Sequence, residues 1–158
     1  MNELDKNFML RAIALAQDGV DRNHGGPFGC VIAKNGEIVG EGCNRVTSTN
    51  DPTAHAEIVA IRDACKNLGD FQLDGCTIYT SCEPCPMCLG AIYWSRPAAI
   101  FFAATREDAA AAGFDDELFY EEIGKENNLR RLKMETILRE ESQKVFANWN
   151  GKADKTEY

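Results

Sequence analysis

Apolar side chains near the start of the chain fall at Phe8, Ala12, Leu15 and Ala16, the spacing of one face of a helix, which predicts a helix over 5–20. The periodicity breaks at 23–27, a turn rich in Gly and Asn. Two strands follow over 28–33 and 37–42, joined by Asn35-Gly36, a pair suited to a tight hairpin. Polar residues 47–52 read as a loop. Ile58, Ile61, Cys65 and Leu68 return to helical spacing and mark a second helix over 54–68. Residues 76–81 read as a strand, because Thr, Ile and Tyr suit a pleated surface. A third helix is expected from about 85 to 94, ending before Pro97, and a buried strand over 98–104. The remainder looks mostly helical as far as 147 and then becomes polar.

A hairpin followed by alternating helix and strand predicts an α/β domain, a mixed central sheet with helices on both faces. Right-handed crossovers put the second and third helices on the same face. With no internal repeat and no linker before the last eight residues, the chain reads as one domain over 1–150 and a tail over 151–158.

At 158 residues such a domain can bury a substantial core. The N-terminus, Met1-Asn2-Glu3-Leu4-Asp5, has neither the basic nor the apolar region of a signal peptide. The longest apolar run, 98–104, is too short for a bilayer, so the expectation is a cytoplasmic protein with no membrane partner. A net charge of -8 repels phosphate backbones, and no nucleic-acid partner is expected. The dense basic cluster, Arg130-Arg131-Leu132-Lys133, has acidic neighbours on both sides and reads as a solvated helix face.

Seven cysteines, an odd number without a secretory signal, argue for metal binding or buried thiols over a disulfide framework. Cys30, Cys43, Cys65 and Cys76 read as small buried apolar residues. The chemistry lies in two segments, Pro52-Thr53-Ala54-His55-Ala56-Glu57 and Cys82-Glu83-Pro84-Cys85-Pro86-Met87-Cys88, each at a loop-to-helix junction. Cysteines separated by two residues at a helix start can direct both sulfurs at one ion, and the imidazole of His55 adds a third ligand. Facing helix N-termini favour thiolates.

Three ligands, His55, Cys85 and Cys88, leave a tetrahedral Zn2+ ion one open position, the arrangement of a catalytic site. Two thiolates already balance the ion's charge, so a neighbouring base is needed, and Glu57 is placed to serve. The competing reading is a closed structural site with Cys82 as fourth ligand; it leaves Glu57 without a role. Cys82 otherwise reads as a buried thiol beside the ligands, and Glu83 either orients its loop through backbone N–H groups or is solvated.

The His-x-Glu and Pro-Cys-x-x-Cys pair is the signature of zinc nucleobase deaminases. On these residues the chain resembles the cytidine deaminase superfamily as far as about Arg106. It is further similar to the small bacterial guanine deaminases in Gly25-Gly26-Pro27-Phe28-Gly29, residues 81–97, Ala112-Gly113-Phe114-Asp115-Asp116 and the terminal Tyr158.

That resemblance implies a three-layer α/β/α fold, one zinc ion per chain, a homodimer, and conversion of guanine to xanthine with release of ammonia. It implies that Asn44 hydrogen-bonds the purine, that Phe28 and Trp94 wall the ring, and that Asp116 and Tyr158 contact it from the far side. The backbone N–H of Ala56 or Cys85 offers a donor at the reacting centre. Phe28 and Trp94 also read as core aromatics, Asn44 as a turn residue, Asp116 as a helix cap with Asp115 its rival, and Tyr158 as a frayed end. The tail is expected to fold over a pocket, with that of the partner subunit as one arrangement. A tRNA adenosine deaminase, a deaminase of another small base such as cytosine, adenine or an amino-triazine, and a non-catalytic zinc module are the competing readings.

Overall fold

Asn35 and Gly36 close the hairpin with φ of 53° and 84°, left-handed values that Asn and Gly tolerate. They join β1 (Gly29–Lys34) antiparallel to β2 (Glu37–Cys43), with a register shift between Ile32 and Ala33. β3 (Cys76–Cys82) pairs antiparallel with β1 and parallel with β4 (Ala99–Ala104), giving a mixed sheet in the order β2-β1-β3-β4. This computed structural model describes residues 2–158.

The helices are α1 (Glu3–Asp21), α2 (Val46–Thr49), α3 (Ala56–Leu68), α4 (Pro86–Ser95), α5 (Arg106–Ala111), α6 (Glu117–Ile123) and α7 (Arg139–Gly151), with a 3-10 turn at Asn127–Leu129. The period-two alternation of β1 sends its side chains to two cores. Val31 and Ala33 pack with Tyr79 against Phe8 and Ala12 of α1. On the opposite face Cys30 and Ile32, with Cys76 and Ile78, pack against Ala56, Ala60 and Ala64 of α3 and Ile92 of α4. The first of these faces carries α1 and the second carries α3 and α4 together, as the crossover rule predicts. Burial of side chains such as Ile32 and Ile78, both at 0% exposure, stabilises the fold by roughly 1.5–3 kcal/mol each.

Close approach of α3 to β2 depends on two glycines. A Cβ on Gly40 would lie 2.6 Å from the Cβ of Ala64, and one on Gly42 would overlap the Ala56 carbonyl. The C-terminal end of β2 is thereby seated beside the first turn of α3. At the N-terminus, Asn2 and Asp5 form a reciprocal cap on α1. The other carboxylate oxygen of Asp5 accepts a 2.7 Å hydrogen bond from the Tyr79 hydroxyl, tying α1 to β3.

Several expectations need correction. Residues 47–52 are not all loop: α2 forms a single turn because Ser48 Oγ and Thr49 Oγ1 both donate to the Arg45 carbonyl, and Asn50 in the left-handed region ends it. The stretch after β4 is broken into short helices, with Gly113 (φ 92°) following α5 and Leu138 (φ 51°) preceding α7, which continues to Gly151. The basic cluster at 130–133 is not on a helix. Arg130 instead donates to the carbonyls of Ile123 and Lys125, so its charge stabilises a local turn.

The chain divides into two compact units, the first ending at Asp116 and the second spanning Glu117–Tyr158. The sheet and α1 to α5 belong to the first. In the second, α6 and α7 contain no buried residue. Among the described residues, no helix is long and apolar enough to cross a membrane.

Candidate active site

Two helix starts converge. His55 is the N-cap of α3 and Cys85 the N-cap of α4, both extended (φ/ψ of -67°/157° and -65°/166°), and neither side chain caps its own helix. Where Ser or Asp would turn back to an N–H, the imidazole and the sulfur are left to face each other. Pro86 at the first position of α4 costs nothing, since that N–H has no partner within the helix. Cys88 lies one turn further on, fully buried, and faces the same point.

His55 Nδ1 is 3.6 Å from Cys85 Sγ and 3.5 Å from Cys88 Sγ. One potential ligand atom from each of the three residues lies within 4.8 Å of the others. An imidazole and two sulfurs at this separation fit a tetrahedral zinc ion. Of the two thiols, that of Cys85 is already poised to ionise. Hydrogen bonds from Cys88 and His55 lower the Cys85 thiol to about 4. The Cys88 thiol is raised by its bond to Cys85 and by burial, so the first proton leaves Cys85. The bond to Cys85 raises the imidazole of His55.

Cys82 is not part of this cluster. Its sulfur donates to the Thr105 carbonyl at 3.5 Å, and burial raises its thiol to about 11. The closed four-ligand reading therefore has no fourth ligand there. Glu83 Oε2 accepts the backbone N–H of Arg106 at 3.2 Å, so it helps hold the turn after β4.

Glu57, at the second position of α3, is 6% exposed. Thr80 Oγ1 donates to its Oε1 and Cys88 Sγ to its Oε2, both at 3.4 Å. Burial raises this carboxyl above its usual range, which suits a group that both accepts and returns a proton. Ala56, wholly buried, opens α3 with a backbone N–H that has no intrahelical partner.

Asn44 follows β2 directly and is 6% exposed. Its Oδ1 accepts the backbone N–H groups of Gly26 and Val46, each at 3.2 Å, while its own N–H donates to the Phe28 carbonyl at 2.9 Å. Phe28 is half-buried and packs edge-on against Phe114, with ring centres 4.9 Å apart. Asp116 is half-buried, and its carboxyl is raised by burial and by the charge of Cys85, which puts it within electrostatic reach of the cluster. Trp94 lies on α4 at 64% exposure. Tyr158 ends the second unit at 69% exposure.

The structure thus brings together His55, Glu57, Cys85 and Cys88, with Ala56 beside them. Two contacts escaped the sequence reading, Thr80 with Glu57 and Phe114 with Phe28. Thr80, buried mid-strand and paired with Cys30 across the sheet, carries a hydroxyl into a face otherwise apolar, and that polar break in β3 was the available signal. Phe114 gave no sign of its partner Phe28, because the pairing depends on how the turn after α5 folds.

Residues 2–104 match the cytidine and deoxycytidylate deaminase zinc-binding region, and the chain belongs to that zinc-dependent hydrolase family. It is 55% identical over 153 residues to the guanine deaminase of Bacillus subtilis (strain 168), covering 97% of this chain and 98% of that protein. The X-ray structure of guanine deaminase from Bacillus subtilis superposes with a TM-score of 0.95 at 54% identity, over 100% of this chain and 99% of that one. A tRNA-specific adenosine deaminase of Buchnera aphidicola subsp. Schizaphis graminum (strain Sg) is 37% identical over 78% of this chain and 79% of that protein.

Proposed function

We propose that this chain hydrolyses guanine to xanthine and ammonia in the cytoplasm, using one zinc ion held by His55, Cys85 and Cys88. The observation that carries the reading is the pairing of that ligand cluster with a buried carboxyl, Glu57, in contact with Cys88. When bound, zinc supplies the Lewis acidity that brings the pKa of a water toward neutrality. Glu57 takes a proton from the attacking water and delivers it to the adjacent ring nitrogen, then takes the remaining proton of the added hydroxyl and delivers it to the amine, which departs as ammonia. The Ala56 and Cys85 N–H groups, at the helix starts, offer donors to developing negative charge.

For the base itself, Asn44 donates to an acceptor edge and Phe28 and Trp94 flank the ring. Asp116 and Tyr158 close the far side, with 151–158 acting as a covering tail. A homodimer accounts for apolar side chains left exposed in each unit, among them Phe102 (48%) and Tyr93 (76%) in the first and Phe146 (67%) and Ile137 (80%) in the second. Exchange of the C-terminal segments between subunits fits the same exposure.

Guanine is favoured over a tRNA substrate by the 55% identity across nearly whole chains, against 37% over 78%, and by the net charge of -8. The test incubates zinc-loaded protein with guanine, adenine, cytosine, guanosine and a tRNA anticodon stem-loop and measures ammonia. Release from guanine alone supports the proposal. Release only from the stem-loop, or from none, overturns it.

A further inference from the structure

Three consecutive side chains just ahead of the ligand Cys85 reach backbone atoms of other segments. Ser81 Oγ accepts the N–H of Gly29 at 3.0 Å. Cys82 Sγ donates to the Thr105 carbonyl at 3.5 Å, and Glu83 Oε2 accepts the Arg106 N–H at 3.2 Å. The backbone N–H of Glu83 donates to the Ala104 carbonyl at 2.9 Å, so Glu83 grips the end of β4 twice. Pro84 restricts the backbone of Glu83 to extended conformations, which keeps this loop stiff.

The far ends of these ties lead to two rings that meet each other. Gly29 directly follows Phe28 and is buried, so its N–H needs a partner within the protein. Arg106 is the first residue of α5, where an N–H has no partner within the helix. Past the other end of α5, the Phe114 N–H donates to the Ala109 carbonyl at 3.0 Å, so Phe114 moves with the helix. Phe28 and Phe114 pack edge-on with ring centres 4.9 Å apart. A cavity of about 400 Å³ adjoins the pair, with Phe28, Ser81, Ala104 and Phe114 in its lining. Packing does not hold the rings on that side; the hydrogen bonds from Ser81 and Glu83 do.

We infer that Ser81 and Glu83 are positioning residues for the substrate: they fix the Phe28–Phe114 pair relative to the loop that carries Cys85, and so set how firmly a planar base is held beside the metal. This deepens the guanine reading and rests on it. The ties act on the walls of the site and leave Glu57 and the ligand atoms alone. Walls that grip the ring equally before and during the reaction affect KM and leave kcat unchanged.

The test measures guanine deamination by zinc-loaded wild type and variants over a range of guanine concentrations, with zinc content and melting temperature on the same preparations. Glu83→Ala is expected to raise KM about three- to tenfold, the scale of one hydrogen bond, with kcat within about twofold of wild type and zinc content unchanged. Glu83→Gln keeps an oxygen acceptor and is expected to restore KM. In a Phe114→Ala background, Glu83→Ala is expected to add nothing further to KM, because the ring it positions is gone. A residue needed only for folding would lower the melting temperature without this dependence on Phe114.

Should Glu83→Ala not fold, Ser81→Ala tests the other tie, with the same rise in KM expected. An unchanged KM in a folded variant, a fall in kcat alone, loss of zinc from Glu83→Ala, or a full further rise in KM on the Phe114→Ala background overturns the inference and leaves the deaminase reading standing. Absence of guanine turnover by the wild type is a different result, which overturns that reading and this inference with it.

Discussion

The hydroxyl of Thr80, on β3, donates to Glu57 Oε1 across the boundary between sheet and helix, at 3.4 Å. Both side chains are buried, at 2% and 6% exposure, so this bond fixes the direction of a carboxyl that has little water to replace it. Thr80→Val keeps the shape of the side chain and removes the donor. Turnover is expected to fall about three- to tenfold, the scale of about 1 kcal/mol for one hydrogen bond, while zinc content stays at one per chain. Steady-state kinetics and metal analysis on the same preparation check this.

Glu57→Gln retains size and hydrogen bonding but cannot carry the proton. Nearly all turnover is expected to be lost with fold and zinc content kept, as read by circular dichroism, metal analysis and ammonia release. Near-normal turnover would remove Glu57 from the proposed chemistry.

Metal removal is expected to lower the melting temperature, because three groups gathered to bind one ion are left with only each other. Adding zinc is expected to restore it with release of protons, since both thiols bind as thiolates. Cys88→Ser is expected to abolish stoichiometric zinc binding, whereas Cys82→Ser keeps it, as the Cys82 sulfur is engaged by the Thr105 carbonyl. Loss of zinc from Cys82→Ser would revive the closed-site reading.

The Tyr79–Asp5 hydrogen bond predicts the pH dependence of folding. Burial and the bond to Asp5 raise the Tyr79 hydroxyl from 10.0 to about 12. The folded state thus holds this proton more tightly, so its contribution is whole below pH 10.0 and is lost as pH rises through about 12. The bonds from Tyr79 and from the Asn2 backbone lower the Asp5 carboxyl below 3.8. Its contribution is present above pH 3.8 and is lost as pH falls through the lowered folded value. Denaturation across pH is expected to show a smaller alkaline loss in Tyr79→Phe and a smaller acid loss in Asp5→Asn.

Removal of residues 151–158 is expected to cut guanine turnover without changing zinc content or melting temperature, if the tail covers the bound base. An unaffected truncation would return Tyr158 to the role of a frayed end.

The ligand residues were legible in the sequence because the spacing within each of their two segments is local, although the meeting of His55 with Cys85, 30 residues on, is tertiary. Cys85 and Cys88 are one helical turn apart, His55 and Glu57 lie at the opening of another helix, and such spacings survive any packing. The hairpin at Asn35-Gly36 and the two-sided burial of β1 were readable for the same reason, being set by backbone sterics and a period of two. Tertiary structure alone decided the rest. The orientation of the Asn44 amide depends on donors from residues 26 and 46, and the absence of Cys82 from the cluster depends on a carbonyl 23 residues away. Arg130 looked like a solvated helix charge until the turn it stabilises had formed. The Gly26 and Thr105 contacts span 18 and 23 residues, and the Arg130 turn is set by the fold of its own loop, so local periodicity names none of these partners.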